Sequence, residues 1–292
     1  AGRSRCGKGV SCVELIYNVL DTLLPFAWME YTFMKNALLA ILLMTPLFGL
    51  LSTMVVSSRM AFFSDSLGHG AFTGIAIGAL VGAFAPLTSL ILFSVLFALL
   101  ITWIKHRTAA SADTVIGVFS STAIAVGLMI MSHGGGFSKF SPLLIGDILS
   151  ITPVDLGGLL AVDMLVLFGW VLLFNRLLLL SVNASLARSR GISVTAVESM
   201  FAALLAVVVA VSIQWVGILI INALLVLPGA AARNLARSVK EYHLFSVMIA
   251  LLSGMIGLFS AYYLGIAAGA AIVASAAVIF FFSLAVRARF QG

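Results

Sequence analysis

Nine apolar stretches, each about as long as a helix needs to cross a lipid bilayer, follow one another along this chain with only short polar connections between them. The hydrocarbon core of a bilayer is about 30 Å thick, which a helix crosses in roughly 20 residues. Inside it every backbone N–H and C=O must find a partner within the protein, so long apolar segments of this kind fold as helices. The stretches read as 33–57, 62–84, 87–104, 114–131, 155–175, 195–213, 215–232, 242–263 and 266–286. Composition agrees: 62% of the residues are hydrophobic and 9% charged, where a soluble domain carries roughly 25% charged residues. The expectation is an all-α polytopic integral membrane protein with eight or nine transmembrane helices. Residues 13–287 form a single transmembrane domain, residues 1–12 an N-terminal extension or cloning scar, and residues 288–292 a C-terminal tail. Residues 11–30 mix apolar positions with Glu14, Asp21 and Glu30, the pattern of an amphipathic helix lying on the membrane surface. The 138–150 segment is too short to cross and reads as a loop or partly inserted helix.

The net charge of +6 does not point to nucleic acid, because the basic residues are scattered through short connections. They read as topology signals. Placing Arg59, Lys105, Arg107, Arg176, Arg188, Arg190, Arg233, Arg237, Lys240, Arg287 and Arg289 on one side satisfies the alternation of nine spans, and the positive-inside rule makes that side the cytoplasm. The same arrangement leaves Arg3, Arg5 and Lys8 outside, against the rule; a crossing by residues 11–30, or one span reduced to half a helix, would bring them in. The chain shows no GxxxxGK[ST] loop, so it has no visible means of its own to bind and hydrolyse ATP. Cys6 and Cys12 are the only cysteines, which excludes a thiolate cluster, and they can form a disulfide only outside the cytoplasm.

Asp65 and His69 stand four residues apart in the second apolar stretch. On a helix that spacing puts both on one face, a carboxylate and an imidazole aimed at one spot. Ionisable groups at membrane depth are costly, and those that persist usually line a pathway or a site. Two readings fit the spacing: ligands for a divalent transition metal, or a satisfied Asp–His contact between packed helices. One carboxylate and one imidazole are too few for an ion that takes four to six ligands. Two copies meeting on a twofold axis would supply an N2O2 set, which holds metal less firmly than thiolates do and so suits release. Gly70, Gly74, Gly78 and Gly82 recur every four residues beside the row Asp65, His69, Thr73, a stripe that lets a neighbouring helix approach closely.

Other polar positions carry weaker signals. His133-Gly134-Gly135-Gly136 reads as a flexible outer turn, and His106 and His243 as ordinary interfacial residues. Asp147, Asp163, Glu198, Gln214 and Asn222 either line a path or hydrogen-bond a neighbouring helix. Pro46 and Pro228 are expected to kink their helices. Residues 181–194 form the longest polar connection on the basic side, with Gly191 as the stop of a short helix, and suit either docking of a soluble partner or a plain loop.

Three segments, Arg59-Met60-Ala61 through Asp65 and His69, Leu144-Ile145-Gly146-Asp147-Ile148-Leu149, and Val216-Gly217-Ile218 through Asn222 to Pro228, occur in an order and spacing that resembles the permeases of zinc, manganese and iron ABC importers. The resemblance runs from about residue 13 to 287. It implies a multi-pass protein of a prokaryotic plasma or inner membrane that works with a second copy of itself, cytoplasmic ATP-binding subunits and an extracytoplasmic metal-binding protein. The cargo would be Mn, Zn or Fe, with no cofactor bound permanently and ATP held by the partner subunit, so the chain would not itself be an enzyme. Asp65 and His69 fall on the family's DxxxH pair. Leu186, Ala187, Arg188, Gly191 and Ile192 fall where these permeases present a coupling helix to the ATPase. The chain departs from the family pattern at Ser58, where a second basic residue is usual, around Ser181, where an acidic residue is often found, and in its basic N-terminal extension. Two rival functions are an intramembrane metalloenzyme using Asp65, His69 and Glu198, and a permease for an organic or chelate cargo in which the pair is structural.

Overall fold

The computed structural model describes Tyr17 and residues 30–81, 86–133 and 148–291, with all side chains except those of residues 79, 81, 86, 133, 214, 215, 219 and 288–291. Among them the regular elements are all helical: α1 Thr32–Ser57, α2 Ala61–Val81, α3 Pro86–Arg107, α4 Ala112–His133, a 3-10 turn Ile148–Ser150, α5 Pro153–Val182, α6 Ala184–Ser189, α7 Val194–Val216, α8 Ile218–Leu235, α9 Val239–Leu264 and α10 Ala268–Gln291. The extension with Cys6 and Cys12, most of the expected surface helix, Gly82, Gly134–Gly136, Asp147 and the side chains of His133 and Gln214 lie outside the described residues.

Each of the nine expected spans corresponds to one long helix, and seven of these are long and apolar enough to cross a membrane on that criterion alone. Among the described residues the other two are α2, diluted by Asp65, His69 and its glycines, and α8, whose apolar part Ile220–Leu235 is shorter. In contrast to the expected 155–175, α5 runs for 30 residues, about 45 Å at 1.5 Å per residue, so Arg176 lies inside a helix and not in a connection. Its start is fixed by a capping box, in which the Thr152 backbone N–H donates to Asp155 Oδ2 at 3.0 Å, and by Pro153 at the first helical position.

The helices pack as two groups. In one, α2 lies on α3 and α4, and α7 on α3 and α5; in the other, α1, α8 and α9 pack on one another and α10 packs on α8 and α9. The groups meet where α1 touches α5 and where α2 touches α8. The chain passes directly between them at Gly217, whose φ of 81° lets α7 end and α8 begin with a single residue between. Helix α8 continues through Pro228, and there it presses onto α1: the Gly229 N–H donates to Ser52 Oγ at 2.8 Å, and a Cβ on Gly229 would stand 2.6 Å from the Ser52 carbonyl oxygen. Buried hydroxyls complete the seams between α9 and α1, where Ser246 donates to the Gly49 carbonyl at 2.6 Å.

Candidate functional site

The Gly-rich face of α2 sets the position of the polar pair. A Cβ on Gly70 would stand 2.7 Å from Phe97 Cδ1, one on Gly74 2.9 Å from Phe93 Cβ, and one on Gly78 2.6 Å from Ser89 Cβ. Three glycines four apart thus meet three α3 residues four apart, in antiparallel register, at separations that only a missing side chain allows. Phe97 has no freedom to retreat, since it is buried, stacked on Phe93 at 5.8 Å and edge-on to Phe119 at 6.0 Å. One turn further up the pair's own row, Thr73 is buried and donates to the Ala123 carbonyl of α4.

Below Thr73 the same face opens. The Asp65 and His69 side chains are 52% and 39% exposed, and Asp65 Oδ2 lies 3.6 Å from His69 Nε2. That distance exceeds a hydrogen bond. The other carboxylate oxygen is occupied, because Asn222 Nδ2 of α8 donates to Asp65 Oδ1 at 2.7 Å. Gly68 makes this reach feasible: a Cβ there would come within 2.8 Å of Ile218 Cγ2 and 3.4 Å of the Asn222 amide, so only glycine lets α8 come this close. Since Gly229 is level with Ser52 of α1, Asn222, seven residues earlier, lies about 10 Å further into the bundle. Asp65 stands five residues into α2, and the side chains of the pair remain partly exposed.

Neither Gly68 nor Asn222 stood out as a partner of the pair from sequence. The available signal was an amide inside the apolar run Gly217–Leu227, which announces a hydrogen bond without naming its recipient. Among the described residues no group of three or more His, Cys, Asp or Glu side chains converges to hold a metal ion. Glu198 is engaged elsewhere: its Oε2 accepts from Lys105 Nζ at 2.7 Å and lies 3.0 Å from His106 Nε2, tying the end of α3 to the start of α7. His106 thus shares the Glu198 carboxylate with Lys105. His243 donates to the Val239 carbonyl at 2.7 Å and packs against Trp170 and Phe174. Asp163, on α5, keeps one buried carboxylate oxygen without a partner among the described residues.

The 181–194 connection folds as the short helix α6. Asn183 Oδ1 accepts from the Ser185 and Leu186 N–H groups at 2.8 and 3.2 Å, starting it. Gly191, at φ 75°, ends it: the Ile192 N–H donates to the Ala187 carbonyl at 3.0 Å and the Gly191 N–H to the Arg188 carbonyl at 2.9 Å. Ala187 and the partly buried Ile192 anchor this turn to the bundle, while Leu186 and Arg188 face outward.

The description of the ABC 3 transport family matches residues 30–287. The manganese import system permease protein ScaB of Streptococcus parasanguinis is 30% identical over 254 residues, which span 87% of this chain and 90% of that protein. The high-affinity zinc uptake system membrane protein ZnuB of Buchnera aphidicola is 29% identical over 247 residues, 84% of this chain and 94% of that protein. Among solved structures, PsaBC from Streptococcus pneumoniae in complex with Fab matches with a TM-score of 0.77 at 26% identity, covering 93% of this chain and 95% of that one.

Proposed function

This chain belongs to the ABC 3 transport family, and we propose that it is the membrane permease of an ATP-driven importer that carries a divalent transition metal ion, Mn²⁺, Zn²⁺ or Fe²⁺, into a prokaryotic cytoplasm. It is a multi-pass membrane protein. The names of its zinc and manganese relatives support the cargo class. The observation that carries the reading is the 3.6 Å between Asp65 Oδ2 and His69 Nε2. Two donors bound at about 2.0–2.2 Å to one ion at a tetrahedral angle stand about 3.4 Å apart. The 3.6 Å separation is close to that value, so the pair as it stands needs little adjustment to serve as two neighbouring ligands of one ion. Asn222 holds the second carboxylate oxygen and aims Oδ2 at the imidazole.

Two ligands do not complete a coordination sphere, and in our reading a second copy of the chain presents its own Asp65 and His69 across a twofold axis. The half-exposed face of the pair leaves room for that. ATP is hydrolysed by cytoplasmic subunits that grip α6 through Leu186 and Arg188, and an extracytoplasmic protein hands over the ion. In our reading transport proceeds by alternating access, and the connections within the bundle support it. Helix α6 passes into α7 through the turn at Gly191, α7 packs on α3, and α3 carries the glycine face of α2. A push on α6 therefore reaches the metal pair through directly packed helices. The site need not bind tightly, since its ion arrives by transfer and must leave.

ATP-dependent uptake of Mn²⁺, Zn²⁺ and Fe²⁺ into vesicles holding the reconstituted complex tests this reading. Asp65→Ala and His69→Ala should each abolish uptake while the complex still assembles. Undiminished flux in either variant would overturn the assignment.

A further inference from the structure

A concavity of about 440 Å³ opens at the arginine-rich end of the bundle between Ser57 at the end of α1, Ser181 on α5, Arg233 on α8, Arg237 and Ser238 in the next connection, and Tyr242 on α9. The hydrogen-bonding capacity of its lining is unequally spent. Tyr242 Oη donates to the Thr53 carbonyl at 3.2 Å and Ser181 Oγ to the Leu178 carbonyl at 2.8 Å, so both protons are taken. Ser238 Oγ accepts from the Glu241 N–H at 3.2 Å, and among the described residues its own proton has no acceptor. Among the described residues neither Arg233 nor Arg237 forms an ion pair, and each guanidinium brings five N–H donors. Glu241, the nearest carboxylate in sequence, turns its Oε2 to the Arg237 backbone N–H at 2.8 Å instead of to a guanidinium.

Helix ends oppose an anion here, and their size can be weighed. Helices α1, α5 and α8 end at this concavity and α9 begins there; at about half a unit charge per terminus, they contribute about one net negative charge. Between residues 233 and 241 stand Arg233, Arg237 and Lys240 against Glu241 alone. The local field stays positive, and the donors facing the cavity outnumber the acceptors still in need of a proton.

We propose that this concavity binds a phosphate-bearing anion, held by the Arg233 and Arg237 guanidiniums with Ser238 Oγ as a third donor. Planar guanidiniums match the oxygen geometry of a phosphate, and two of them opening into one hydroxyl-lined hollow at a helix-end surface suit the headgroup of an anionic phospholipid or a free phosphate of the cytoplasm. The site is separate from Asp65 and His69 and does not depend on the transport reading.

Native mass spectrometry of the full chain in detergent, titrated with phosphatidylglycerol, phosphatidylcholine or inorganic phosphate, tests it. One phosphatidylglycerol or one phosphate per chain is expected to bind in preference to phosphatidylcholine. Arg233→Gln with Arg237→Gln should weaken it roughly tenfold, the factor that 1.4 kcal/mol represents. Arg188→Gln with Arg190→Gln, at the same end of the bundle but outside the cavity, should leave it unchanged. Retention of phosphatidylglycerol alone identifies the lipid as the source, and retention of inorganic phosphate identifies the soluble anion. Equal loss in both double variants, or no preference over phosphatidylcholine, overturns the proposal. Arg237 is exposed in a connection, so Arg237→Gln alone carries the same test should the double variant fail to fold.

Discussion

Replacing Gly70 by alanine puts a methyl group 2.7 Å from Cδ1 and 2.8 Å from Cε1 of Phe97, where carbon atoms prefer about 3.5–4.0 Å. The ring is wedged between Phe93 and Phe119, so α2 must move off α3 by about 1 Å to make room, at the residue next to His69. Overpacking of this kind costs about 1–3 kcal/mol, and the alanine recovers about 1 kcal/mol of helix propensity. Gly117 on α4 supplies the reference, because a Cβ there meets nothing within 4 Å and Gly117→Ala gains the propensity alone. The expected difference between the two variants is therefore the clash itself, about 1–3 kcal/mol. Unfolding of the purified chain in mixed micelles measures it, and vesicle uptake of metal measures the consequence, since misplacing a functional group by 1 Å costs up to about a hundredfold in rate. Gly70→Ala as stable as Gly117→Ala would refute the claim that α2 and α3 touch through a glycine face. Normal uptake despite a measured clash would refute the claim that this face positions His69.

The Glu198 carboxylate serves Lys105 and His106 together and is 18% exposed, so Glu198→Gln should destabilise the chain by about 1 kcal/mol, the low end for a charged hydrogen bond that solvent partly screens. A double-mutant cycle with Lys105→Met measures the coupling, and a coupling of zero would mean that the crossing from α3 to α7 rests on apolar packing alone. Gly191 has open space around it and a left-handed backbone, so only conformational strain, about 1–2 kcal/mol for an ordinary L residue, opposes substitution. ATP-dependent uptake by the reconstituted complex should fall in the order Gly191→Asn, Gly191→Ala, Gly191→Val, from mildest to worst; equal uptake in the Asn and Val variants would show that the α6 stop does not need this conformation.

The helical bundle was legible because burial in lipid leaves a run of apolar residues few other options, and among the described residues each expected span falls mainly on one long helix. Arg176 misled the reading of α5. A long side chain can keep its charged head in water while its stem lies along a helix, so an arginine marks the neighbourhood of an interface without marking a helix end. The i, i+4 spacing of Asp65 and His69 was readable because it is local. Their third neighbour was not: Asn222 is 157 residues away in sequence, and only the approach permitted by Gly68 tells which carboxylate its amide serves. The same limit applies to Glu198, which the sequence offers as a metal ligand in a rival reading but whose carboxylate is taken by Lys105 and His106 of α3.

The Asp65–Asn222 hydrogen bond also joins the two helix groups, since α2 belongs to one and α8 to the other, with the single residue Gly217 linking α7 to α8 nearby. Any rotation that parts the groups about that glycine breaks the bond and frees the carboxylate to swing. In the transport cycle proposed above, the stiffness of the aspartate would thereby be tied to the posture of the whole bundle: the closed arrangement would present a fixed oxygen to an arriving guest, and the parted one would loosen that oxygen when the guest departs.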